Sequence, residues 1–338
     1  MTSSRRAFVQ GTLAASAAAT LPAPAVLAQQ KEELKLATFV PPSHIIYAQV
    51  LVPWAKEVEQ KSGGRLTVRL FPSMQLGGKP PELYRQTVQG ISDICFTLPG
   101  YTSADFPMMA LTELPGAAKT AEDGTRKLWS YMDKFLVRDF KGTKVLMLWN
   151  ADSASLMSRS KPIRTIADMK GLKVRTPSAA QSAQIEALGA TPIDMPAPAI
   201  YNNLERGVID ATMIPMTAAL DFKLIEVAQH YTVNVPLGRS PFLVAMNAAR
   251  YDKLPADLKK VIDETTGLGL SLKGAATYDK QAEAALKAAR ARHNVIDVSD
   301  ADAKKWQDAF MPVIRTKAAE ADKAGLPGGS LVKAMGLL

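Results

Sequence analysis

The sequence predicts an α/β protein of two lobes facing each other across a cleft, and three observations predict it. The chain has 338 residues, more than one compact core usually holds. Strand-like segments alternate with helical ones in βαβ order, which builds a sheet with right-handed crossovers and helices on both faces. That pattern runs once to about residue 150 and then starts again. A composition of 47% hydrophobic and 22% charged residues is that of an ordinary globular chain.

The first strand is read at 34–40 (LKLATFV), running into Pro41-Pro42. A helix follows over 45–61 and ends at Gly63-Gly64. Residues 65–71 (RLTVRLF) alternate with a period of two and form a second strand. A short helix over 80–89 closes at Gly90, and 93–98 (DICFTL) is a buried strand. Another helix spans 121–139, and 144–149 (KVLMLW) is the next strand. In the second half, strands are read at 172–175, 208–213 and 242–247, with helices at 179–188 and 199–206. The last third reads as one helix of close to forty residues, opened by Pro255, kinked around Gly267–Gly269 and long enough to span both lobes. The lobes are accordingly placed at 31–151 plus about 241–280, and at 152–240 plus about 281–338.

Ahead of this body, Ser3-Ser4-Arg5-Arg6-Ala7-Phe8 is a twin-arginine pattern, followed by an apolar, acid-free stretch from Gly11 to Leu27. The small residues ending at Ala28 suit a signal peptidase, so residues 1–28 read as a removed leader. An anchor helix is disfavoured, because Pro22 and Pro24 interrupt a stretch already short for a membrane span. The expected location is the periplasm, reached by the twin-arginine route. Losing Arg5 and Arg6 lowers the net charge from +9 to +7.

Several classes are set aside. Cys95 is the single cysteine, so no internal disulfide forms. His44, His230 and His293 lie far apart, without metal-ligand spacing, and no glycine-rich phosphate loop occurs. Neither a metal nor a cofactor is expected. Basic residues are scattered among acids without an aromatic-interleaved stripe, so nucleic acid is not an expected partner. An exported enzyme is the competing reading, but no nucleophile elbow, triad order or paired carboxylates stand out.

The segment from Lys161 to Pro177 (KPIRTIADMKGLKVRTP) resembles the signature of TRAP (tripartite ATP-independent periplasmic) solute receptors. So do 188–195 (LGATPIDM), 201–210 (YNNLERGVID), 71–77 (FPSMQLG), the Gln89-Gly90-x-x-Asp93 step, and Asn247 followed by 251–255 (YDKLP). The resemblance implies a two-lobed periplasmic binding protein of the Venus-flytrap type, joined by crossing strands. It further implies an organic anion trapped in the cleft and passed to membrane subunits driven by an ion gradient.

Arg175 ends a strand, where α/β folds bind ligands, and its planar fork matches a carboxylate. It also matches the family's carboxylate-clamping arginine. Three positions depart from the family pattern. Ser155 stands where many members carry a second arginine, Ile214 where an asparagine precedes the proline, and Ala197 where an aromatic is common. Arg239 is read as a substitute second cation. Such a pocket suits an aromatic or branched monocarboxylate better than a small dicarboxylate. Phe39, His44, Tyr101 and Trp149, at or beyond strand ends, are candidates to wall the cleft, with neutral His44 donating a hydrogen bond.

Overall fold

The computed structural model describes residues 31–338, so the leader read at 1–28 lies outside the described residues. Eleven strands are present among them: β1 (Glu32–Thr38), β2 (Leu66–Phe71), β3 (Ile94–Thr97), β4 (Thr143–Asn150), β5 (Ala154–Ser158), β6 (Lys173–Thr176), β7 (Thr191–Asp194), β8 (Ala211–Pro215), β9 (His230–Val233), β10 (Pro241–Asn247) and β11 (Asn294–Asp297). They form two sheets, ordered β2-β1-β3-β10-β4 and β11-β9-β5-β8-β6-β7. Each sheet is the floor of one lobe.

The strands follow from their burial. In β1, Glu33 and Lys35 face solvent while Leu34 and Leu36 are fully buried, and from Leu36 onward both faces are covered. All four residues of β3 are buried, as a central strand requires. The sheets are mixed rather than wholly parallel. β10 runs antiparallel to β3 and β4, and β5 runs antiparallel to β8 and β9. The reason lies in the connections. The chain leaves the first sheet at Asn150, crosses through 151–153 and enters β5. It returns through 234–240 into β10. A strand entered from the other lobe starts at the cleft and runs against the strands that end there.

The two crossing segments are held together. Ala151 N–H donates to the Ser240 carbonyl at 2.9 Å. Arg239 donates to the carbonyls of Ala118, Lys119 and Ala151 and to Ser153 Oγ, at 2.6–3.3 Å. It ties both crossings to the loop before the helix Ala121–Tyr131.

The long C-terminal helix is present but divided. One helix covers Ala256–Thr265 and a second covers Leu268–Arg292. Gly267 separates them at φ 83° and ψ −151°, a conformation that interrupts helical hydrogen bonding, and its N–H instead reaches the Leu146 carbonyl at 2.7 Å. The expected kink is thus a complete break. Beyond it the longer helix packs on β4 of the first lobe and reaches β11 of the second. Among the described residues no helix is long and apolar enough to cross a membrane.

Candidate ligand-binding site

The parallel strands of both sheets deliver residues to one cleft at their carboxyl ends, the place where open α/β sheets bind ligands. Phe39 follows β1, Leu98 follows β3, Arg175 and Pro177 come from the end of β6, and Ile214 and Pro215 end β8. Phe242 joins them from the start of β10, because that strand runs the other way. Together with His44, Tyr101, Ala197, Thr217, Ala218, Asp221, Phe222, Ser240 and Tyr278 they line a cavity between the lobes. It encloses roughly 430 Å³ of space free of protein atoms, part of it open to solvent.

Arg175 is 2% exposed, on a strand clamped between β7 and β8. Its Nε donates to the Met195 carbonyl at 2.8 Å and its Nη1 to the Met213 carbonyl at 3.2 Å. These bonds fix the plane of the guanidinium and leave donors for the cavity and for the Tyr101 hydroxyl beside it. Burial pulls the guanidinium down to about 10, which keeps it charged at neutral pH. Tyr101 bridges the lobes, its oxygen accepting the Ala197 N–H at 2.9 Å.

Another part of the cavity wall is built around His44 and Asp221. Burial lowers His44 to about 3, so the ring is neutral. Its Nδ1 accepts the Ile46 N–H at 3.3 Å, which places the ring proton on Nε2. That nitrogen stands 3.5 Å from Asp221 Oδ2, a contact between a neutral ring and a carboxyl group rather than an ion pair. Burial, with Asp152 nearby, raises Asp221 to about 7. Its Oδ1 accepts the Ile45 N–H and the Gln281 amide, both at 3.3 Å.

Beside the cavity a second polar cluster joins the lobes. Glu113 Oε2 accepts from Ser178 Oγ at 2.6 Å and from Gln181 Nε2 at 2.9 Å. Ser178 is also the cap of the helix Ala179–Ala187. Burial raises Glu113 to about 7 against the pull of these donors.

Six of the residues singled out in the sequence meet in the cavity: Phe39, His44, Tyr101, Arg175, Ala197 and Ile214. Trp149, Ser155 and Arg239 are not among its lining. Trp149 is fully buried behind the wall, stacked on Phe242 at 5.2 Å. Ser155 sits beside Ile214 in the sheet and donates to its carbonyl at 3.1 Å. The Arg239 guanidinium is occupied by the crossing segments, and with Ser155 it borders a different groove that also carries Asp152, Asp279 and Glu283. An anion has little reason to enter there. Residues not foreseen include Asp221, Phe222, Phe242 and Tyr278. Phe242 opens a strand that was recognised, so its place at the cleft was within reach. The other three carry no local signal.

Comparison with known proteins agrees with this architecture. Residues 36–321 match the family profile described as bacterial extracellular solute-binding protein, family 7 (DctP). A solute-binding protein of Albidiferax ferrireducens is 28% identical over 265 residues, covering 75% of this chain and 76% of that protein. The crystal structure of a TRAP solute-binding protein from Rhodoferax ferrireducens, holding copurified benzoate, superposes with a TM-score of 0.87 at 33% identity. It covers 90% of this chain and 97% of its own. A marine-metagenome TRAP solute-binding protein specific for aromatic acids, in complex with 3-hydroxybenzoate, also gives 0.87, at 34% identity over 91% of this chain and 98% of its own. Two sheets with crossing connections, a cleft at the strand ends and a match over most of the chain place this protein in the DctP family, as a TRAP-type receptor for small organic acids.

Proposed function

We propose that this protein captures an aromatic monocarboxylate between its lobes and hands it to the membrane subunits of an ion-gradient-driven TRAP transporter. The observation that carries the reading is a single buried guanidinium, Arg175, in a cavity walled by Phe39, Phe222, Phe242 and Tyr278. One fixed cation suits one carboxylate, held by two charge-assisted hydrogen bonds. The remaining wall is largely apolar, which suits a ligand whose body is hydrocarbon. Arg239 offers no second cation for a dicarboxylate, since four of its five donors are bound to the protein and it does not line the cavity. Benzoate in one neighbour and 3-hydroxybenzoate in another point the same way. Export by the twin-arginine leader would bring the receptor to the compartment where curated relatives named as periplasmic binding proteins act.

Ligand binding favours the closed arrangement because the ligand touches both lobes, Arg175 from one and Phe39 and Tyr101 from the other. Titration calorimetry of the mature protein with benzoate, a branched aliphatic acid and succinate tests the reading. Benzoate should bind and succinate should not. Binding of succinate in preference to benzoate would overturn it.

A further inference from the structure

We infer that the receptor reads a second group on its ligand: Asp221 and His44 form a polar end wall that takes a hydroxyl on the ring, away from the carboxylate. The preferred ligand is then a hydroxylated aromatic monocarboxylate. This inference rests on the aromatic-monocarboxylate reading above and deepens it.

The first ground is an unmet acceptor. The Asp221 side chain is 3% exposed and belongs to the cavity wall, yet its Oδ2 has no hydrogen-bond partner among the described residues. Both of its protein donors go to Oδ1. A buried carboxylate oxygen without a donor is costly, and Asp221 belongs to the wall of the ligand space.

The second ground is position. Arg175 and Asp221 line the same cavity, and a chain of neighbouring rings runs between them. Tyr101 lies against Arg175, Phe39 is 5.5 Å from Tyr101, Phe96 is 5.6 Å from Phe39, and His44 is 6.5 Å from Phe96. His44 then meets Asp221. A ligand whose carboxylate engages Arg175 shares this cavity with Asp221 and can present a second polar group to it.

The third ground is the pairing of roles. Neutral His44 presents an Nε2–H donor beside the Asp221 acceptor. A single hydroxyl satisfies both, giving its proton to Asp221 and accepting from His44. An aryl amine donates but is a poor acceptor, its lone pair being delocalised into the ring, and a methoxy group can only accept.

The test measures dissociation constants of the mature protein for benzoate, 3- and 4-hydroxybenzoate, and the matching amino- and methoxybenzoates. At least one hydroxybenzoate should bind about 10-fold or more tightly than benzoate, and more tightly than both its amino and methoxy counterparts. Asp221→Ala should reduce that preference to within about 3-fold, whatever it does to affinity as a whole. Equal binding of benzoate and both hydroxybenzoates by the unaltered protein overturns the inference while leaving the aromatic reading intact. Survival of the preference in a folded Asp221→Ala variant also overturns it. Failure of every aromatic acid to bind would instead overturn the reading on which it rests.

Discussion

Replacing Arg175 by methionine separates a ligand role from a structural one, because the two roles predict different magnitudes. Methionine keeps much of the buried length and removes the charge. For the fold, the variant loses two hydrogen bonds to the Met195 and Met213 carbonyls, each about 1.5 kcal/mol or somewhat more for a charged donor. Against this, burial has lowered the arginine from near 12.5 to about 10, a penalty of roughly 3 kcal/mol that the variant no longer carries. The terms nearly offset, so the melting temperature of the ligand-free protein should move by only about 4 °C or less. For the ligand nothing offsets the loss. A carboxylate entering this cavity would be buried without its partner, at about 3–5 kcal/mol, which weakens binding roughly 150- to 5,000-fold. Calorimetry gives the affinity, and a thermal melt without ligand gives the control. Affinity within about 3-fold of the unaltered protein, in a folded variant, would refute the assignment of Arg175 to the ligand.

Arg239→Met should behave the opposite way: losing a buried guanidinium bound to four acceptors costs about 3–5 kcal/mol of stability by chemical denaturation, with no cavity residue removed. Gly238→Ala would drive a methyl group into the Glu113 carbonyl oxygen, which Gln184 holds at 2.9 Å across the lobes. Ligand affinity should fall about 10-fold or more, and solution scattering should report a larger radius of gyration. Glu113 titrates near 7 in the closed arrangement and near 4.5 once exposed, so closure takes up a proton between those values. Affinity should therefore be fullest below that window and fall as pH rises through it, by up to about 10-fold per pH unit. Asp152 and Asp221, also raised to about 7, titrate in the same sense, so the contribution of Glu113 is the slope that Glu113→Gln removes.

What could be read in advance followed from local pattern. The strands of the first sheet are long enough, or buried enough, to declare themselves, and all five were placed within a few residues. In the second sheet β5, β7, β9 and β11 were not recognised. β7 and β11 are its two edges, four residues each, with burial that never rises above half-covered, so neither shows a period of two. β5, ASLMS, is buried throughout, and five residues with two serines show neither alternation nor a clear apolar run. Gly267 was seen as a kink, but its role in a complete break depends on the Leu146 carbonyl it meets. Arg175 was legible because a strand end and a family motif coincide there. Tyr278 lies inside a 25-residue helix, and only the way that helix crosses the first sheet turns its ring toward the cleft.

The two buried arginines show how hydrogen-bond accounting can decide what residue type cannot. Arg175 and Arg239 are 2% and 8% exposed, both lie near the cleft, and both are lowered by burial. Read from sequence, both had a place at the ligand, Arg175 as the clamp and Arg239 as a second cation. A guanidinium has five N–H donors in one plane. Arg239 directs its fork at three carbonyls and a hydroxyl, all belonging to the segments that join the lobes, and Asp152, Asp279 and Asp123 supply its countercharge. It needs no anion from outside. Arg175 has two carbonyls and the Tyr101 hydroxyl, a neutral phenol, and its countercharge comes from Asp194. A buried cation with donors to spare and little countercharge within the protein is stabilised by an anion that arrives later. The energetic cost of keeping it so is carried by the fold, and the ligand that relieves it is selected by the rings around it.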